Sequence, residues 1–179
     1  MTKTAGVYGG ALYDLAREEG KTEEILQQLR VISDLFQKEA QFVYLLATPS
    51  LPKEERCGIL DTCLRGRVDP YLLNFLKILC ENGIIGRLVG CLRAYKDRYN
   101  EDHGILEVRA VTAVPMNDRL RKQLCDRLAQ VTGRTIELAC RVDPACLGGV
   151  RLEMEGYQLD GTLRARFDAV RRQLQDVVL

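Results

Sequence analysis

The hydrophobic residues of this sequence change their spacing once, after His103-Gly104, and this change constrains the fold more than any other feature. Before this point apolar residues recur every three or four positions, which is typical of helices that bury one face. After it they alternate with polar residues, as at Leu106, Val108 and Ala110, which is typical of strands covered on one face. The sequence therefore predicts an α+β protein with two domains, residues 1–104 and 105–179.

The first domain is predicted to be a bundle of six helices, because short connections separate its periodic segments. Local signals mark the helix ends. Asp69-Pro70 can cap and start the fifth helix, and Asn82-Gly83 can end it.

The second domain is predicted to be a small α/β unit of about three strands and two helices. In chain order these are a strand over 106–114, a helix between Asn117 and Gly133, strands over 136–142 and 150–154, and a helix from about Thr162.

Composition excludes several classes of protein. Hydrophobic residues make up 46% of the 179 residues, with only 15 Gly and 5 Pro, so collagen-like, low-complexity and disordered chains are excluded. The 26 basic and 25 acidic residues give a net charge of +1, so no global field draws the chain to nucleic acid or an anionic membrane. No apolar run approaches the ~18 residues that span a bilayer, and no signal-peptide pattern is present. We therefore expect membrane association to depend on another subunit.

The side-chain chemistry favours a non-catalytic protein. A two-histidine metal site cannot be built from this chain alone, since its only histidine is His103. The seven cysteines include no C-x-x-C pair, and we expect free thiols, most of them buried within apolar patterns. No glycine-rich phosphate-binding motif occurs. No cofactor and no metal are expected, and an enzyme that uses His103 with a cysteine is the least favoured interpretation.

The first and fifth helices carry features that an isolated bundle does not require. Gly9-Gly10 lies in the middle of the first helix, where each glycine costs about 1 kcal/mol relative to alanine, and forms a strip of small residues with Ala5 and Ala11. The fifth helix, 71–81, is apolar around most of its circumference. Either this helix is the core of the bundle, or the two helices border a groove for an amphipathic helix of another protein. Periodicity leaves both interpretations open.

Basic residues on the helices of the second domain suggest an alternative function. They are Arg119, Arg121, Lys122, Arg127, Arg164, Arg166, Arg171 and Arg172. Such residues can follow a nucleic-acid backbone, and a nucleic-acid-binding adaptor is the alternative hypothesis. Interleaved aspartates and few aromatic residues favour a surface that faces solvent or a protein partner.

Three stretches resemble the delta subunit of bacterial F-type ATP synthase, the family of the mitochondrial oligomycin sensitivity-conferring protein. They are YGGALYDLA at 8–16, NFLKILCENG at 74–83 and LGGVRLEMEGYQLDGTLRARF at 147–167. The third is the most specific, because it combines Gly-Gly leading into a strand, a hairpin, and Asp-Gly-Thr before an Arg-containing helix. The likeness covers nearly the whole chain.

The resemblance implies a six-helix N-terminal domain and a small α/β C-terminal domain, in agreement with the division above. It also implies that the first domain binds the N-terminal helix of an alpha subunit of the catalytic head, and that the second holds the C-terminal ends of the peripheral-stalk b subunits. By position, the groove residues are Tyr8, Ala11, Leu12, Leu15, Ile78, Leu79 and Asn82.

The function implied by this resemblance is mechanical. The chain is expected to be a non-catalytic stator subunit that keeps the head from turning with the shaft, so that rotation stays coupled to ATP synthesis. It is expected on the cytoplasmic side of a bacterial cell membrane, held there through the complex.

Overall fold

The structure is a computed structural model that describes residues 3–48, 50–154 and 157–163. Within these ranges the protein contains seven α-helices and one four-stranded mixed sheet, so it is α+β as predicted. The chain divides into two compact units, Met1–Tyr99 and Asn100–Leu179, which we call the helical unit and the strand unit.

Helices make up the part of the chain that precedes the first strand. They are α1 (Lys3–Glu18), α2 (Thr22–Lys38), α3 (Ala40–Ala47), α4 (Lys53–Leu64), α5 (Pro70–Glu81) and α6 (Leu88–Asp102). A short 3₁₀ turn, Ile85–Arg87, leads directly into α6.

The core of the helical unit receives side chains from each of these helices. One almost fully buried member from each, in chain order, is Tyr13, Ile25, Leu46, Leu60, Leu76 and Tyr95. The rings of Tyr13 and Tyr95 meet edge to face, with centroids 5.2 Å apart, and the Tyr95 hydroxyl donates to the carbonyl oxygen of Thr22 at 2.8 Å. The tyrosine hydroxyl therefore keeps a partner at the edge of an apolar core.

Glycine allows α1 and α6 to approach closely. A Cβ atom at Gly9 would overlap the carbonyl oxygen of Cys91 and lie 2.9 Å from the Cβ of Ala94. A Cβ atom at Gly90 would lie 3.0 Å from the Cβ of Ala5. Three of the four residues of the small-residue strip predicted on α1, Ala5, Gly9 and Gly10, therefore lie against α6 of the same chain, and this contact offsets the low helix propensity of glycine.

A buried arginine joins the ends of two helices. Arg56 of α4 is only 5% exposed, and its Nη1 donates to the carbonyl oxygens of Leu46 at 3.0 Å and Cys80 at 3.1 Å. These carbonyls lie in the last turns of α3 and α5, where backbone oxygens lack helical partners and the helix dipole is negative. The arginine therefore stabilises both helix ends from inside the unit.

The strand unit is built around a central strand. Its elements are β1 (Ile105–Thr112), α7 (Asp118–Thr132), β2 (Thr135–Val142), a 3₁₀ turn (Pro144–Cys146), β3 (Val150–Met154) and β4 (Tyr157–Asp160). The strand order is β2-β1-β3-β4. β1 runs parallel to β2 and antiparallel to β3, and β3 pairs antiparallel with β4. Helix α7 is the crossover that a parallel neighbour requires.

The strand unit differs from the sequence prediction in three places. The prediction of about three strands lacks β4, whose residues are all exposed. β1 ends at Thr112 and not at Val114, because the Thr112 hydroxyl donates to the carbonyl oxygen of Val114 at 2.8 Å and pairing stops there. The helix predicted from about Thr162 falls outside the described residues after Leu163.

Among the described residues, the apolar cluster between the sheet and α7 is small. Leu106, Val108, Ala110 and Leu138 are its buried members, and half-buried residues of α7 such as Leu124 and Leu128 pack against them. Both predicted end signals of α7 are confirmed. The Asn117 side chain accepts from the backbone N–H of Leu120 at 2.8 Å, and Gly133 ends the helix with φ of 67°.

Candidate functional site

A short polar cluster holds the turn between α1 and α2 to the start of α5. Lys21 donates to Asp69 at 2.7 Å, and the buried Asp69 carboxylate also accepts from the backbone N–H of Tyr71 at 2.8 Å. Asp69 is therefore the helix cap that the Asp69-Pro70 signal predicts, with an ion pair added. α1 and α5 are also in direct contact.

Electrostatics reinforce this junction. The hydrogen bond to Asp69 raises the pKa of Lys21, so the ammonium group stays charged at neutral pH. The hydrogen bond to Glu19 raises the pKa of Tyr71, and desolvation adds to this effect. Lys21 also lies over the Tyr71 ring, 5.7 Å from its centroid, in cation–π geometry.

The seven residues predicted for the groove, which we call the α1–α5 surface, lie at three depths. They are Tyr8, Ala11, Leu12, Leu15, Ile78, Leu79 and Asn82. Ala11, Ile78 and Asn82 are exposed, Tyr8 and Leu15 are half-buried, and Leu12 and Leu79 are buried in the core. The two buried leucines hold the helices together beneath the surface, and the other five are accessible to a partner.

The accessible part of the α1–α5 surface is mostly apolar. Ile78 is 44% exposed, and Asn82 caps the end of α5 by donating from Nδ2 to the carbonyl oxygen of Ile78 at 2.8 Å. Val7, which sequence reasoning missed, is 67% exposed and precedes Ala11 by one helical turn. The i, i+4 spacing of Val7 and Ala11 is the signal that could have identified it. Such a surface can bind by apolar contact and hydrogen bonding.

The basic residues of the strand unit do not form one uniform surface. Arg121 donates from Nη2 to the carbonyl oxygen of Leu138 at 3.0 Å, so it helps to hold α7 on β2. Arg119, Lys122 and Arg127 are exposed. The other four residues of the predicted basic set, Arg164, Arg166, Arg171 and Arg172, lie outside the described residues.

The seven cysteines carry free thiols in different environments. Cys80, Cys91 and Cys146 are buried, and burial raises the pKa of the Cys91 thiol to about 11. The prediction that most cysteines are buried is wrong. Cys57 and Cys125 are half-buried, and Cys63 and Cys140 are exposed. Cys63 lies on α4 but is not among its buried residues, which are Arg56, Leu60 and Leu64.

Two general features of the described ranges bear on function. No three side chains of histidine, cysteine, aspartate or glutamate lie close enough there to hold a metal ion. None of the helices described combines the length and the apolar character needed to cross a bilayer.

Comparison with known proteins connects these features to a family. The family model of the ATP synthase delta (OSCP) subunit matches residues 4–174. The chain belongs to this family. It is 30% identical over 171 residues to ATP synthase subunit delta of Myxococcus xanthus (strain DK1622), which covers 94% of each chain. It is 28% identical over 175 residues to the same subunit of Clostridioides difficile (strain 630), which covers 97% of each chain.

A solved structure shares the fold of this delta-family chain. The match is to a chain in the cryo-EM structure of the Toxoplasma gondii mitochondrial ATP synthase hexamer. The TM-score is 0.75 at 19% identity, and the match covers 98% of both chains. The resemblance found in the three sequence stretches is confirmed at the level of the family.

Proposed function

We propose that this chain is the stator subunit that joins the catalytic head of a bacterial F-type ATP synthase to its peripheral stalk. The helical unit is a six-helix bundle that binds the N-terminal helix of an alpha subunit, and residues 105–179 bind the C-terminal ends of the b subunits. The observation that carries this proposal is the family match over residues 4–174. The subunit is non-catalytic, and it reaches the cytoplasmic face of the cell membrane only as part of the complex.

The α1–α5 surface supports the first of these contacts. Ala11 and Val7 on α1 and Ile78 on α5 expose apolar groups on two helices that are in contact with each other. An amphipathic helix binds such a surface by placing its own apolar face on the exposed residues. Leu12 and Leu79 are buried in the core beneath this surface, and their packing stabilises it.

The mechanical role of a stator subunit requires slow dissociation and stiffness. Torque from the central shaft acts on the head, and a clamp must resist it without dissociating. Apolar burial contributes about 25 cal/mol per Å², which offsets the cost of association when the surfaces fit and are already ordered. A stiff, preorganised pair of helices meets this requirement, and no reactive side chain is needed.

Calorimetric titration of the full chain tests the proposal. The ligand is a peptide copied from the N-terminal segment of the alpha subunit encoded with this chain. We expect saturable binding to the wild type. We expect Ala11→Asp to weaken it by about tenfold or more, equal to about 1.4 kcal/mol, because a charge would be desolvated beneath the peptide.

A matched control is available on α2. Val31 is 67% exposed and lies outside the α1–α5 surface, so Val31→Asp makes the same change in charge elsewhere on the unit. Its affinity for the peptide should equal that of the wild type. Absence of binding by the wild type would refute the proposed contact, and equal weakening by both variants would refute the chosen surface.

A further inference from the structure

Two cysteines on adjacent helices lie side by side in the helical unit. Cys57 is near the start of α4, and Cys80 is in the last turn of α5. Their thiols are hydrogen-bonded to each other, which lowers the pKa of Cys80. Each sulfur also has a second contact. The Cys57 thiol donates to Oε1 of Glu81 at 3.7 Å, and the Cys80 thiol donates to the carbonyl oxygen of Leu46 at 3.4 Å.

The two thiols differ in their access to solvent. Cys57 is half-buried, and its hydrogen bond with Glu81 is exposed, so a small solute can reach its sulfur. Cys80 is fully buried. A thiol that solvent reaches can react first with an oxidant, and a thiol beside it can then complete a disulfide. Hydrogen-bonded thiols need only small side-chain rotations to reach the ~2 Å length of a sulfur–sulfur bond.

Charged groups lie on both sides of this pair. Glu81 accepts the hydrogen bond of Cys57, so its carboxylate is placed to take the proton when that thiol ionises. Burial raises the pKa of Cys80, and the positive charge of Arg56 and the hydrogen bond with Cys57 oppose this effect. At Cys91, by contrast, burial alone raises the pKa to about 11. The surroundings of Cys80 therefore favour ionisation more than those of Cys91 do.

We propose that Cys57 and Cys80 form a reversible disulfide between α4 and α5 when hydrogen peroxide oxidises the chain. Cys57 gives its proton to Glu81, and its sulfur attacks one peroxide oxygen. An S–O bond forms, the O–O bond breaks, and the leaving hydroxide takes the proton back from Glu81 as water. Cys80 then attacks the oxidised sulfur, so the S–S bond forms, the S–O bond breaks, and the leaving hydroxide takes the proton of Cys80. The two thiols lose two electrons in total, and hydrogen peroxide is reduced to two waters.

Peptide mapping by mass spectrometry tests this pairing in the full, folded chain. The chain is treated at low concentration with hydrogen peroxide, its remaining thiols are blocked with N-ethylmaleimide, and it is digested with trypsin without reduction. We expect a species that joins peptide 57–65 to peptide 78–87 with the loss of two hydrogen atoms. Treatment of the oxidised chain with dithiothreitol before digestion should abolish this species.

Two variants assign the bond, because peptide 57–65 also contains Cys63. Cys63→Ser, at an exposed position of the same helix, is the matched control and should give as much of the cross-linked species as the wild type. Cys57→Ser should give none of it. Neither residue is fully buried, so both variants should fold.

Three results would overturn the inference. They are absence of the cross-linked species in the oxidised wild type, its persistence in Cys57→Ser, and its loss in Cys63→Ser. None of these results bears on the titration with the alpha-subunit peptide, which uses the reduced chain.

Discussion

Helices α2 and α7 illustrate how differently the two units are built. Both are amphipathic and similar in length, with 17 and 15 residues. α2 buries six residues in the core of the helical unit, whereas α7 buries none, and its Leu120 and Val131 are 52% and 86% exposed. An amphipathic pattern therefore identifies a face but not how deeply that face is covered.

The surroundings of each helix explain this difference. α2 packs among other helices that cover its apolar face. α7 lies on β1 and β2, where the apolar cluster it packs against has four buried members among the described residues, Leu106, Val108, Ala110 and Leu138. Within the described residues, the helical unit therefore has the deeper core. Three predictions test this comparison, beginning with the largest effect.

Removal of a core leucine should cost most in the helical unit. Leu76→Ala, at a fully buried position of α5, should lower the free energy of unfolding by about 3 kcal/mol, because a cavity remains. Leu124→Ala, at a half-buried position of α7, should lower it by about 1 kcal/mol. Hydrogen exchange measured by mass spectrometry reports the two units separately. Equal losses in the two variants would contradict the difference in core depth.

The second prediction concerns the close approach of α1 and α6. Gly9→Ala should destabilise the helical unit by about 2 kcal/mol, because its methyl group would overlap the backbone of Cys91. Gly6→Ala is the matched control in the same helix. Nothing lies within 4 Å of its added Cβ atom, so it should stabilise by up to about 1 kcal/mol. Thermal unfolding of both variants distinguishes these outcomes, and a neutral Gly9→Ala would mean that the two helices pack less closely.

Alkaline pH should destabilise the helical unit through a buried thiol. The pKa of Cys91 rises from 9.0 to about 11 because burial disfavours the thiolate. Above pH 9 the unfolded chain therefore loses a proton that the folded chain keeps, and stability falls as the pH rises from 9 towards 11. The loss should be about 1.4 kcal/mol by pH 10. Burial also raises the pKa of Tyr95, which acts in the same direction at higher pH.

Two cysteine variants identify the source of this pH dependence. Urea unfolding at pH 8 and pH 10 should show a smaller loss in Cys91→Ala than in the wild type. Cys140→Ala, at an exposed position of β2, should retain the full loss. If Cys91→Ala keeps the wild-type pH dependence, the thiol is not its cause.

Local chemistry explains which parts of the fold the sequence could predict. The start of α5 and both ends of α7 were predictable because Asp69, Asn117 and Gly133 act on backbone groups within a few residues. β4 could not be predicted, because a strand of four exposed residues is defined by its pairing with β3. Strand order likewise depends on distant residues.

The candidate site was predictable only in part, for the same reason. The spacing of apolar residues correctly assigns Leu12 and Leu79 to helices. How deeply their side chains are buried depends on how the other helices pack around them. The sequence indicates that Gly9 lowers the stability of an isolated helix. It does not indicate the contact between Gly9 and α6. The burial of Arg56 was also missed, because an arginine that follows two glutamates has the pattern of a surface residue.

The position of β1 has a mechanical consequence. Only His103 and Gly104 separate the end of α6 from β1, which pairs with β2 along its whole length and with β3 over 109–112. Tension along the chain would thus pull on the middle of the sheet. The bonds to β2 along the strand, and those to β3 over 109–112, would then resist sliding, whereas a strand at the margin is bonded on one edge only.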